Sequence, residues 1–265
     1  MNVYWHEWKA YRKSTVIWTI TLVAFLALFL SLYPSFYHDA ADMQKLLQGY
    51  PEPVKKALGL SGMDFASLVS FYSYIFVYIL LCGAIQAMNL GTSILSKEVR
   101  EKTADFLLTK PITRSSIITA KLLAAVTSIL ITNVVYVLCA TILASFVKLE
   151  EFNMTVFLMI SASLLFVQLM FLALGVFVSV VVSKIKSVIS VSLGTVFTFF
   201  FISMFSSVIG DRDMRYITPF QYFNTTYISQ HSSYETSYVL VALGFIVVAI
   251  SASYIIYSKK DIHSA

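Results

Sequence analysis

The sequence predicts an all-α membrane protein with six transmembrane helices. An interfacial helix precedes the first, an amphipathic helix lies between the second and third, and both termini are cytoplasmic. Three observations carry this reading. Of 265 residues, 58% are apolar and only 12% are charged, with mean hydropathy +0.78; a soluble domain carries about a quarter of its residues charged. Six stretches hold no Asp, Glu, Lys or Arg: 14–38, 65–96, 122–147, 152–183, 187–210 and 236–258. Each accommodates the roughly 20 apolar residues that a helix needs to cross a hydrocarbon core about 30 Å thick.

The third observation is the placement of the 19 basic residues. With the N-terminus inside, alternate loops place Lys9, Arg12, Lys13, Lys97, Arg100, Lys102, Lys110, Arg114, Lys121, Lys184, Lys186, Lys259 and Lys260 in the cytoplasm. The inside segments then sum to +8 and the outside ones to −3, the asymmetry that sets orientation. The net charge of +5 is therefore a topology signal, and no nucleic-acid partner is expected.

In chain order, residues 1–13 mix Tyr4, Trp5, Trp8 and Tyr11 with three basic residues, which suits a helix lying in the lipid headgroup layer. Residues 14–33 form the first span; it lacks a small-residue cleavage pattern and is read as retained. An outside loop, 34–64, has an amphipathic pattern broken by Pro51 and Pro53, which predicts two short surface helices. The second span covers 68–95 and the third 116–146, with a cytoplasmic segment over 96–114 between them. The fourth and fifth, 154–183 and 187–209, are joined inside by SKIKS. An outside loop, 210–236, with the charges Asp211, Arg212, Asp213 and Arg215 in solvent, leads to the last span at 237–258 and a cytoplasmic tail at 259–265. The whole chain is one transmembrane domain.

This organisation excludes several function classes. No aqueous segment exceeds about 30 residues, too few for a soluble catalytic domain, and continuous apolar runs are the wrong pattern for a β-barrel. Cys82 and Cys139 fall inside spans, and nothing has metal-ligand spacing. The charge-free windows hold no carboxylate, lysine or arginine, and the four histidines, His6, His38, His231 and His263, fall in loops or tails, so no proton relay is expected within the spans. The chain also lacks a G-x-x-x-x-G-K-[ST] phosphate loop. Energy for uphill movement must then come from a partner.

Within the spans, Gly83, Ala87 and Gly91 recur at i, i+4 and i+8, as do Gly175, Ser179 and Ser183; such ladders let helices approach closely. Gln86, Asn89, Asn133 and Gln168 are the polar inventory of spans two to four. Two readings of them stand: hydrogen bonds between helices, or the lining of a substrate path.

The segment from Ser96 to Lys121 reads SKEVREKTADFLLTKPITRSSIITAK. Val99, Thr103, Phe106 and Leu107 share one helical face, Glu98 and Lys102 form an i, i+4 pair, and Pro111 forces a bend. Thr113 can cap a new helix that runs into span three. The apolar stripe rests on lipid or docks in a groove of a soluble partner.

The segment resembles the cytoplasmic region after the second helix of ABC-2-type permeases. The matching positions are Glu98, Glu101, Thr103, Leu107, Leu108, Pro111, Arg114 and Lys121, while Lys102 departs from the family's usual Gly. Thr218-Pro219-Phe220 before the last span and Lys259-Lys260-Asp261-Ile262 at the end are similar to further family features. The resemblance implies the permease subunit of an ATP-driven exporter in a bacterial cell membrane. Two copies, or one copy and a paralogue, would pair with two separate ATPase subunits that bind ATP and Mg; no cofactor is expected on this chain. It also implies a coupling helix in which Glu98, Val99, Thr103, Phe106, Leu107, Leu108, Pro111 and Arg114 meet the ATPase, with Lys184 and Lys186 as a second contact. The expected cargo is amphipathic or hydrophobic: a peptide antibiotic, a lipid or a drug-like molecule. A non-transporting membrane anchor or immunity protein is the alternative reading, followed by an intramembrane lipid-modifying enzyme.

Overall fold

The computed structural model describes residues 3–60, 62–101, 113–182, 185–210 and 213–259. The regular structure among them is helical, and six helices are long and apolar enough to cross a membrane. They are α1 (Val3–Ser31), α5 (Leu68–Glu101), α6 (Arg114–Val147), α7 (Met154–Val181), α8 (Val188–Ile209) and α10 (Thr236–Lys259). Three short helices, α2 (Tyr33–His38), α3 (Ala40–Gln48) and α4 (Glu52–Ala57), follow α1 where two were expected; Pro34 and Pro53 sit in the first turns of α2 and α4, where a missing N–H costs nothing. A further short helix, α9 (Thr225–His231), precedes α10.

The separate interfacial helix expected over residues 1–13 is not a separate element. It is the first part of α1, which runs unbroken because no Gly or Pro interrupts it and because one buried stripe continues through the expected junction. Glu7, Tyr11, Thr15, Thr19, Leu22, Leu26 and Leu30 repeat every three or four residues along the face that packs on α6. Trp5, Lys9, Arg12 and Lys13 point away from that face.

Caps settle the other ends. Thr113 Oγ1 accepts from the Ser116 N–H at 3.3 Å and starts α6 where the sequence places a cap. The amide oxygens of Asn153 and Asn224 accept from Val156 and Tyr227, which starts α7 and α9. Gly210, at φ 74°, closes α8 in the left-handed conformation that suits glycine.

The centre of the bundle is the parallel pair α5 and α7. A Cβ on Gly91 would lie 2.4 Å from the Leu172 carbonyl oxygen, and one on Gly175 would lie 2.8 Å from that of Met88, so backbone meets backbone there. Two ladder steps away, Gly83 makes room for the side chains of Leu164 and Gln168. Helix α6 packs beside this pair with α1 on its flank, while α8 rests on α5 and α10 on α7. Large parts of α8 and α10 stay uncovered, with Phe201, Phe205, Leu240 and Val248 exposed as lipid-facing residues would be.

The two ends of the bundle can be told apart. At one, the start of α1, the start of α6 and the end of α10 converge: Tyr4 shares a hydrogen bond with Thr127, and Thr119 with Tyr254. This is the terminal end. At the opposite, far end the Tyr37 hydroxyl donates to Glu150 at 2.6 Å and that of Tyr33 to the Ala66 carbonyl at 2.8 Å.

Much of the 210–236 segment does not lie in solvent as a simple loop. Thr218 is fully buried and its hydroxyl donates to the Phe199 carbonyl, ten residues before the end of α8 and so about 15 Å down its axis. The Gln221 amide donates to the Ser203 carbonyl and hydroxyl and to the Ser207 hydroxyl. Phe220 packs against Phe171 and Phe200. The segment re-enters the bundle, its polar groups satisfied by α8, as hydrocarbon requires. Arg215, expected in solvent, pairs with Glu235 at 2.6 Å and stacks 4.3 Å over Tyr238. Tyr234 donates to the Met159 carbonyl, and burial pushes its phenol up to about 12, so it remains a donor at neutral pH.

The α5–α7 contact yields a prediction. Gly91→Leu should cost about 3 kcal/mol or more through backbone displacement, seen as loss of the monodisperse peak in size-exclusion chromatography. Gly194→Leu, whose Cβ would meet nothing within 4 Å, should elute like wild type. Equal behaviour of the two variants would contradict the close approach.

Candidate coupling and core site

Helix α5 outlasts the 27-residue apolar stretch Leu68–Ile94 and continues to Glu101, so its last turns extend at the terminal end. The backbone of Glu98 and Val99 belongs to those turns. The first part of the predicted amphipathic helix is thus the continuation of span two. Thr103, Phe106, Leu107, Leu108 and Pro111 lie outside the described residues. The chain is described again at Thr113, and Arg114 opens α6. Lys186 is exposed on the turn between α7 and α8, beside the buried Ile185; Lys184 lies outside the described residues.

Directly below these helix ends is an ion pair that sequence reading missed. Lys121 Nζ donates to Glu7 Oε1 at 2.8 Å, with the two residues 1% and 8% exposed. The charge-free windows had suggested spans without ionisable groups; the helices are longer than the windows, and this pair is buried in the extensions. It joins α1 to the second turn of α6. Two hints lay in the sequence: Glu7 is the only acid before Asp39, and Lys121 immediately precedes an apolar window.

The polar residues of spans two to four meet in the middle of the bundle. Gln168 Nε2 donates to Gln86 Oε1 at 3.0 Å, Gln86 Nε2 donates to Thr132 Oγ1 at 3.0 Å, and Asn133 Nδ2 donates to Gln168 Oε1 at 2.5 Å. Thr132 also shares a hydrogen bond with Thr19 of α1 at 3.0 Å. One chain of side chains therefore links α1, α6, α5 and α7. Gln86, Gln168 and Thr132 are fully buried, and Asn133 Oδ1 has no partner. Asn89, the fourth residue singled out on the sequence, stands half-buried outside this chain. A second node near the far end links Tyr72 to Tyr136 at 2.8 Å and to Ser161 at 2.7 Å, again across α5, α6 and α7. Hydrogen bonds of this kind contribute roughly 0.6–2 kcal/mol each within a bilayer, so their joint effect is to fix register.

Among the described residues no group of three His, Cys, Asp or Glu side chains could hold a metal ion.

Removing Lys121 leaves the Glu7 carboxylate buried without its cation, at about 3–5 kcal/mol. Lys121→Met and Glu7→Gln should each lower the Tm of the detergent-purified protein clearly, and the double variant should recover most of the loss. A double variant as unstable as the sum of the singles would contradict the pairing.

Comparison with known proteins agrees with the geometry. A search of the curated proteins found no match. The family described as ABC-2 family transporter protein matches residues 1–262, nearly the whole chain, with its six long apolar helices. The chain, a multi-pass membrane protein of the permease type, therefore belongs to the ABC-2 transporter family.

Proposed function

We propose that this chain is the membrane-spanning subunit of an ATP-driven exporter, working as a pair of permease chains with two separate ATPase subunits. The observation that supports this most is the terminal end itself: α5 and α6 both extend there, and the 96–114 segment joins them. A partner bound to that segment holds levers on two helices at once. Helix α6 is tied to α1 by the Glu7–Lys121 pair and to α5 through Thr132 and Gln86. Displacement at the segment is therefore delivered to four helices together. The positive-inside distribution supports a cytoplasmic position for this end, where ATP is available.

In this reading Val99, Thr103, Phe106, Leu107 and Leu108 fill an apolar groove of the ATPase. Glu98 and Arg114 make polar contacts at its rim, and Pro111 sets the bend between the two limbs. Lys184 and Lys186 form a smaller second contact. ATP and Mg are bound by the partner, and the cargo is amphipathic or hydrophobic. A cargo route past Gln86, Asn89, Asn133 and Gln168 requires the central hydrogen-bond chain to part during transport.

The docking reading has a direct test. Phe106→Asp with Leu107→Asp should reduce co-purification of the co-expressed ATPase at least about tenfold, since two buried apolar anchors are worth roughly 1.5–3 kcal/mol each. Membrane insertion of the variant should be unchanged. Undiminished co-purification would overturn the docking model. Glu98→Lys should leave the complex assembled but lower its ATP hydrolysis.

A further inference from the structure

At the far end a cleft of about 630 Å³ opens between the first turns of α5, the last turns of α8, α4 and the re-entrant segment. Its size is that of a small-molecule site. The floor is apolar, formed by Val77, Leu80, Phe200 and Met204. The walls are hydroxyls and amides, including Ser73, Tyr74, Tyr78, Gln221, Asn224 and Thr226. Two basic residues, Lys56 and Arg215, line it, and among the described residues no carboxylate does.

The wall carries buried polar capacity that the protein itself leaves unused. Ser206, 2% exposed, has no partner for its hydroxyl, and Arg215 Nε has none although the rest of that guanidinium is bound to Glu235 and the Gln221 carbonyl. Lys56 is exposed and has no ion-pair partner among the described residues, while its neighbour Lys55 takes Glu52. Buried donors without partners, a rim lysine without an ion-pair partner among the described residues and an apolar floor together select an amphiphile whose head is anionic and accepts hydrogen bonds. The exposed apolar residues of α8 beside the cleft place it at the level of lipid, with Tyr74 and Tyr78 where aromatic residues meet headgroups.

We propose that this cleft binds the headgroup of an acidic phospholipid, its phosphate at Lys56 and the hydroxyl-lined wall and its first methylenes along Val77, Leu80 and Phe200. The inference rests on the cleft and not on the export reading; it holds whether the lipid is cargo or a resident of the membrane.

The test uses the full chain purified in mixed micelles with equal phosphatidylglycerol and phosphatidylcholine of identical acyl chains, with retained lipid counted by native mass spectrometry. Wild type should retain phosphatidylglycerol over phosphatidylcholine by about fivefold, the preference one basic contact supplies. Lys56→Glu should abolish that preference and Thr226→Trp should reduce it; both sites are exposed, so the fold is preserved. Lys9→Gln with Arg12→Gln, on the opposite end of the bundle, should keep it. Loss confined to that last variant would move the lipid to α1 and overturn the proposal, as would a preference unchanged in Lys56→Glu and Thr226→Trp. Inorganic phosphate at millimolar concentration should not displace the lipid; equal retention of both lipids together with phosphate binding would overturn the lipid assignment in favour of a free anion.

Discussion

A polar side chain in hydrocarbon must find its partner inside the protein, and the rest of this structure depends on how Gln86, Gln168, Asn133 and Thr132 meet that constraint. Their hydrogen bonds run helix to helix from Thr19 on α1 to Asn133 on α6, through α5 and α7. Because each bond joins one particular residue to another, sliding any of the four helices by one turn would break the chain. Apolar packing in a bilayer gives no comparable preference, since lipid tails are as apolar as leucine. The glycines then set the distance: Gly91 and Gly175 bring α5 and α7 together with no side chain between them. Register and spacing of the core are thus fixed by a handful of residues, and α8 and α10 are added around it.

The two ends of this core differ in chemistry. At the terminal end a buried ion pair secures the root of α6 to α1, directly beneath the segment on which an ATPase would act. A buried pair is a poor source of net stability, but it is intolerant of separation. At the far end, Thr218 and Gln221 anchor the re-entrant segment to α8, and Arg215 and Glu235 close it against α10. The cleft at the far end lies beside this anchored segment, whose Gln221 holds Ser203 and Ser207 of α8.

The number of long apolar helices was legible in the sequence because the energy of burying charge in lipid is large, so each charge-free window marks one. The glycine ladders and the Thr113 cap were also readable, each being local. Long-range pairing was not: Glu7 and Lys121 are separated by 114 positions, and nothing nearby records that they meet. The fusion of the expected interfacial helix with span one was hidden because aromatic and basic residues fit a headgroup layer equally well on a crossing helix. The re-entry of residues 213–224 was hidden because DRDMR reads as a solvated run until Glu235 supplies Arg215 with a partner twenty residues away. Of the candidate path residues, three proved to be neighbours, a fact that depends on helix rotation and not on spacing.

The central claim is that the segment between α5 and α6 is where energy enters. A photo-reactive amino acid at Phe106, in membranes containing the co-expressed ATPase, tests this most directly. Cross-linking of the chain to the ATPase is the expected result, and cross-links to lipid alone would contradict the account.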